Sequence, residues 1–155
     1  MRVIFLDFDG VLTSLNSRWK LIPEKCDLLG KILEETNAMI VISSSWRRDN
    51  LKDTFDFLTN CERNHYLNNY PFPFVNKIIG QTERIMNASI RFGSHPKRGE
   101  EIKRYLESNP GITNYVILDD ENDMLFEQQE HFVNTYFLEG LSEKDVKEAI
   151  DILNK

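Results

Sequence analysis

Asp7 and Asp9 stand one residue apart in "VIFLDFDGVLT", directly after the apolar run Val3, Ile4, Phe5 and Leu6. Two like charges closing a buried segment repel each other and lose hydration, so both are costly unless something compensates them. A second acidic pair, Asp119 and Asp120, closes another apolar run, "YVIL" at 115–118. A hard divalent cation takes carboxylate oxygens and tolerates adjacent acids. Magnesium held by Asp7 and the Asp119/Asp120 pair, with Asp9 counted among the ligands, relieves the repulsion. One aspartate of the first pair is then a metal ligand and nucleophile. The other, its pKa raised by an anionic neighbour, is a proton donor and acceptor. Hydroxyls close a third apolar run, "AMIVISSS", at Ser43, Ser44 and Ser45, and two cations, Lys97 and Arg98, precede a helical stretch.

These groups need a scaffold that brings them together. Residues 2 to 7, 38 to 44 and 115 to 120 read as buried strands, "KIIGQ" as a further strand and "HFVNTYF" as the last. Between them lie helical patterns. "EKCDLLGKILEET" follows Pro23, a residue suited to a first helical turn. "DNLKDTFDFLTN" carries Leu51, Phe55 and Leu58 on one face, and "EEIKRYLES" carries Ile102, Tyr105 and Leu106. "SEKDVKEAIDIL" has Ser142 as its N-cap and Val146, Ile150 and Leu153 on one stripe. Residues 59 to 76, rich in Asn and aromatics and holding two prolines, read as a loop or small excursion, and 87 to 99 as a loop. Alternating strands and helices predict an α/β fold: one Rossmann-like three-layer domain over residues 1–155, with a mainly parallel sheet and helices on both faces. In such a sheet ligands bind beyond the carboxyl ends of the strands, where the acids, hydroxyls and cations are expected.

The chain has 155 residues, enough for one real core, and its 41% hydrophobic and 28% charged content is that of a globular protein. A net charge of −6 argues against broad, nonspecific attraction to nucleic acid, though not against a local basic patch. Cys26 and Cys61 form no CxxC pair, which argues against a zinc site or disulfide framework and for a reduced, cytoplasmic setting. No run is long enough to cross a membrane. His65, His95 and His131 are scattered and read as ordinary loop residues, and Trp46 as a core residue. The aromatics from Tyr66 to Phe74 read as a packed mini-core rather than a base-stacking platform.

Taken in order, the clusters resemble the motifs of the haloacid dehalogenase (HAD) superfamily. "DFDGVLT" is similar to the first motif, "VISSS" to the second, Lys97 is placed like the lysine of the third, and "VILDD" resembles the acidic fourth. More narrowly, "ISSSWR", "KRGEEI" and "ILDDENDM" resemble the small HAD domains of RNA-repair ("Swiss army knife") proteins. The resemblance implies a magnesium-dependent phosphatase. Asp7 would attack phosphorus to form an aspartyl phosphate, and Asp9 would serve as acid and then base. Ser43, with Ser44 or Ser45 as the competing register, would bind phosphoryl oxygens. Lys97, or the adjacent Arg98, would neutralise charge, and Arg47 would be a second phosphate contact. The fourth motif leaves Asp119, Asp120 and Asp123 as candidates for direct metal contact.

Two rival readings are a receiver-type signalling domain and a noncatalytic phosphate-binding module. No aspartate closes a middle strand, which disfavours the first, and all four motifs are present, which disfavours the second. Between Gly10 and Ser43 lie 32 residues and between Ser45 and Lys97 lie 51, too few after their helices and strands for a full cap domain. Residues 59–96 are left as a small insertion or lid. An open site suits a phosphate on a large molecule, a polynucleotide end ahead of a phosphoprotein, met by Arg47, Arg48, Lys97 and Arg98. A small nucleotide or sugar phosphate is the alternative substrate.

Overall fold

A computed structural model describes residues 1–85 and 98–155. Five strands, β1 (Arg2–Leu6), β2 (Met39–Ile42), β3 (Ile78–Gln81), β4 (Asn114–Asp119) and β5 (Phe132–Asn134), form one sheet in the order β3-β2-β1-β4-β5. Every pairing is parallel. Among the described residues, three α-helices lie between strands, α1 (Pro23–Thr36), α2 (Leu51–Thr59) and α3 (Arg98–Ser108), and a fourth, α4 (Glu143–Leu153), follows β5. This is a Rossmann-like α/β arrangement, as the alternation of apolar runs and helical patterns predicts.

The strands read as continuous apolar runs because both faces of the sheet are covered. Ile4, Leu6, Ile40, Ile42, Val116, Leu118 and Val133 face α1 and α4, meeting Leu29, Ile32, Val146 and Ala149. Their neighbours Val3, Phe5, Val41, Ile117 and Phe132 point the other way, onto Ile102, Tyr105 and Leu106 of α3. Val3 to Leu6 are all fully buried; each large apolar side chain so buried stabilises the fold by roughly 1.5–3 kcal/mol.

Local signals set the helix ends. Pro23 opens α1, and Asn37 closes it in the left-handed region at φ 53°. Asn50 caps α2 by accepting from the Asp53 backbone. Ser142 and Asp145 form a capping box at the start of α4. Helix α3 begins at Arg98, two residues earlier than its apolar pattern indicates, so a cation expected in a loop sits in the first helical turn.

Residues 60 to 77 hold two single-turn 3₁₀ segments, His65–Leu67 and Val75–Lys77. Leu67 and Phe72 are buried in the core shared with α1 and α2. The expected loop at 87–99 and the upper part of the expected lid fall largely outside the described residues. No described helix is long and apolar enough to cross a membrane.

Candidate active site

Chain order reverses at β1: β2 and β3 lie on one side, β4 and β5 on the other. A crevice therefore opens between the carboxyl ends of β1 and β4, the usual ligand position in such sheets. The parallel ladder continues one residue past most strands. Asp7 N–H donates to the Leu118 carbonyl at 3.0 Å, Ser43 N–H to Leu6 at 3.1 Å, Thr82 N–H to Ile42 at 3.0 Å and Thr135 N–H to Asp119 at 3.0 Å. Thr82, Ser43, Asp7, Asp119 and Thr135 thus form one fixed row along the sheet edge.

Beyond Asp7 the chain folds into a tight turn in which the Phe8 carbonyl accepts from the N–H groups of Val11, Leu12 and Thr13 at 2.9–3.1 Å. Gly10 takes φ +77°, and a Cβ there would collide with the Asp120 carboxylate. Glycine is needed both for the backbone and to admit Asp120 beside Asp7. Thr135 Oγ1 pins the turn by donating to the Gly10 carbonyl at 2.7 Å.

Carboxylate oxygens of Asp7, Asp119 and Asp120 lie within 4.8 Å of one another. Arg98 Nη1 meets Asp119 Oδ2 at 2.8 Å and Asp7 Oδ1 at 3.0 Å. Asp119 Oδ1 also accepts from the Glu121 N–H at 3.0 Å. Asp7 Oδ1, though close to Arg98, lies off its N–H directions and accepts no hydrogen bond among the described residues. No donor from another described residue reaches the Asp120 carboxylate.

The electrostatics follow from this crowding. Burial, then the Asp7 charge, push the Asp119 carboxyl far above the usual carboxylate range, against the pull of Arg98. The same two causes push Asp120 up to about 6. Burial raises Asp9 against the opposing hydrogen bonds of Thr13 and the Trp46 side chain. Burial works against the Arg98 charge, yet Asp7 and Asp119 outweigh it and hold the guanidinium above its ordinary value.

The expected site residues divide. Ser43 is buried behind the sheet edge with its Oγ unpartnered among the described residues. Ser44 Oγ is spent within its own loop, accepting from the Trp46 N–H at 3.1 Å, while Ser45 lines the crevice. Asp123 caps α3 instead of joining the acidic group: its Oδ2 accepts the Arg98 N–H at 3.0 Å. Lys97 lies outside the described residues; among the described residues Arg98 is the cation on Asp7.

Two expected site residues are placed apart from the acidic group. Asp9 stands outside the three-acid group, because its Oδ1 turns toward Thr13 Oγ1 at 3.1 Å. Arg47 does not face the crevice. It is buried, donating from Nε to Ser44 O at 2.7 Å, from Nη1 to Thr82 and from Nη2 to Glu101 Oε2 at 3.0 Å. Glu101 is 54 residues away in the chain, a partner no local pattern announces.

One cleft of about 420 Å³ joins the acids to a set of aromatic rings. Asp7, Asp9, Asp120 and Arg98 line one part, and Trp19, Trp46, Phe57, Tyr66 and Arg48 the other. Trp46 packs as expected, stacked on Phe8 at 4.8 Å and edge-on to Phe57 at 5.6 Å. Phe72 and Phe74 pack inward, as read for the aromatics of that stretch. Tyr66 departs from that reading: it is 40% exposed and turned to the cleft. Trp19 and Phe57 were not singled out in the sequence, and the only trace there is the basic–aromatic run Arg18, Trp19, Lys20.

Among the described residues, three carboxylates against one guanidinium leave two negative charges if all ionise, and Asp7 keeps an oxygen free of hydrogen bonds. An all-oxygen donor set of this charge fits a hard divalent cation. Searches of curated proteins and of solved structures matched nothing to this chain. A family model described as "HAD domain in Swiss Army Knife RNA repair proteins" matches residues 3–146, which supports a HAD-type hydrolase and accounts for the acids at the ends of β1 and β4. With nearly its whole length matched, the chain belongs to that family of HAD domains.

Proposed function

We propose that this protein is a magnesium-dependent phosphatase that works through an aspartyl phosphate and acts on a phosphorylated polynucleotide end. The observation that carries this reading is the Asp7 carboxylate: buried at the switch point, paired with Arg98 at 3.0 Å, and keeping, among the described residues, an oxygen without a hydrogen bond beside Asp119 and Asp120. Asp7, Asp119 and Asp120 would hold the ion, which supplies charge neutralisation between an anionic nucleophile and an anionic phosphoryl group.

This chain's own residues account for the rest. An Asp7 oxygen attacks phosphorus as the bond from phosphorus to the leaving oxygen breaks, and protonated Asp9 passes its proton to that oxygen. In the second half Asp9 takes a proton from water, the water oxygen attacks phosphorus, and the bond to Asp7 breaks to release phosphate. The raised proton affinity of Asp9 suits both duties. Arg98 spreads charge away from Asp7 and the phosphoryl oxygens, and the unpartnered Ser43 Oγ is available for a phosphoryl oxygen after a small shift.

A large substrate is favoured because Ser45, Glu121 and Tyr66 at the rim are exposed and no described element closes over them. Arg48 lines the cleft, and Arg84 Nη2 donates to the carbonyl of Ser45, which also lines it, and to that of Arg47, at 2.8 and 2.9 Å. They supply local positive charge despite the net −6.

The test is turnover of an aryl phosphate and of a terminally phosphorylated oligonucleotide, with magnesium and after chelation. Turnover must depend on magnesium, and a phosphoenzyme trapped by rapid acid quench must disappear in Asp7→Asn. The oligonucleotide should surpass sugar phosphates in kcat/KM, by a margin that shrinks as salt rises. Full activity after exhaustive chelation would refute the scheme.

A further inference from the structure

We infer that Trp19 and Tyr66 form a subsite for one unpaired nucleobase, so that the protein selects single-stranded over duplex ends. The inference rests on the polynucleotide-phosphatase reading and assigns the half of the cleft that chemistry at Asp7 leaves unused.

Four aromatic rings line the same cleft as the acids. Trp46 and Phe57 are braced from behind. Trp46 is only 5% exposed, stacked on the buried Phe8, whose chain neighbours are Asp7 and Asp9. Phe57 is covered by the Arg48 guanidinium, 3.5 Å from its ring centroid. Trp19 and Tyr66 retain exposed surface, and Tyr66 is backed by the His65 ring at 4.0 Å.

The two rings come from segments 47 residues apart, joined where Leu21 N–H donates to the Tyr66 carbonyl at 2.7 Å. Trp19 is held there at a cost. Arg18 and Trp19 both adopt left-handed backbone, φ 56° and 61°, which is costly for bulky side chains. Trp19 N–H donating to Ser14 O and the mutual bonds of Ser14 and Ser17 maintain it.

Braced rings flanked by guanidinium groups, beside a site that handles a phosphoryl group, match what single-stranded nucleic acid offers: a planar base and an anionic backbone. A cleft of about 420 Å³ suits one small ligand, hence one nucleotide. A base that enters it cannot stay paired and stacked in a duplex.

The experiment compares kcat/KM for one terminally phosphorylated oligonucleotide in three forms: single-stranded, annealed as a blunt duplex, and with its terminal base removed. A phosphotyrosine peptide is the fourth substrate. For the unaltered protein the single strand should exceed the abasic end by roughly ten- to a hundredfold, the worth of one base–aromatic stack, and should also exceed the duplex. Trp19→Ala and Tyr66→Ala should collapse the ratio of intact to abasic end toward one, and Tyr66→Phe should keep it. Binding of the same intact and abasic strands without phosphate to Asp7→Asn, read by tryptophan fluorescence, separates this inference from the reading it rests on. If nothing is hydrolysed but the intact strand still binds better, and Tyr66→Ala removes the difference, the subsite stands and the phosphatase reading falls. If abasic and intact ends are equal in turnover and binding, or the phosphotyrosine peptide is the best substrate, the subsite is overturned while the phosphatase reading survives.

Discussion

Two arginines, the buried Arg47 and the half-buried Arg98, each face carboxylate in this molecule, yet their surroundings have opposite character. Around Arg47 every charge is answered: it reaches Ser44, Thr82 and Glu101, and Glu101 Oε1 also accepts the Ile85 N–H at 3.2 Å. The pair ties the loops after β2 and β3 to α3. Around Arg98, among the described residues, one guanidinium serves two aspartates with a third close by, and Asp7 is left with an oxygen that accepts no hydrogen bond. A satisfied buried ion pair is structural. An under-neutralised cluster at a switch point is poised for a ligand, since folding alone does not retain such electrostatic cost without compensation.

The sharpest way to break the comparison is to remove one member of each region. Asp7→Asn should lower turnover by several orders of magnitude, since it removes the proposed nucleophile. It should leave the fold intact or more stable in thermal melts, because one of three crowded charges is gone. Arg47→Met should do the reverse. Leaving Glu101 buried and unpaired costs about 3–5 kcal/mol, on the order of 10 °C in Tm for a chain of this size, with turnover per folded molecule retained. Adding Glu101→Leu to Arg47→Met should restore part of that loss. If Arg47→Met instead abolished phosphate turnover at unchanged Tm, the assignment of the two arginines would be reversed.

Gly10→Ala comes next. Its Cβ would occupy the place of the Asp120 carboxylate, and φ +77° adds roughly 1–2 kcal/mol of backbone strain. Magnesium affinity, read as the concentration needed for half-maximal stabilisation, should weaken more than Tm falls. An unchanged magnesium requirement would place the ion elsewhere.

A smaller effect should appear in the pH dependence of the magnesium-free protein. Asp120 is raised to about 6 and Asp119 is raised further, whereas both lie near 3.9 when unfolded. The native state therefore binds more protons than the unfolded one above pH ~4, and stability falls as pH rises through the folded values. Thermal melts should show Tm declining from about pH 5 to 8 by a few degrees. Asp120→Asn should flatten the lower part of that slope, and magnesium should offset the decline. A Tm that climbs over this range without metal would contradict the crowding described for the cluster.

The apolar runs ending in Asp7, Ser43 and Asp119 were legible as buried strands, because strands covered on both faces need no alternation and only their polar ends mark the sheet edge. Asn50 and Ser142 are side chains that cap the helix beginning right after them, so α2 and α4 were also legible locally. The order of acid, hydroxyl and acid along the chain was enough to locate a candidate site at one edge of a parallel sheet. Residue type and neighbourhood were poor guides to Arg47, Asp9, Trp19 and Tyr66. Arg47 lies two residues past the last serine, and its guanidinium is held away from the crevice by Glu101, 54 residues on. Asp9 matches a motif but answers Thr13 rather than the acidic group.

What the sequence by itself determined is which groups reach the carboxyl edge: strand ends are set by short-range apolar patterning, and chain order assigns them to neighbouring positions. Only the tertiary structure decided that Arg98 meets Asp7, which acids join it, and which rings share its cleft. Those choices depend on contacts between segments far apart in the chain, such as Leu21 with Tyr66 and Arg98 with Asp7, where the direction of a side chain follows from packing and charge balance rather than from its neighbours in sequence.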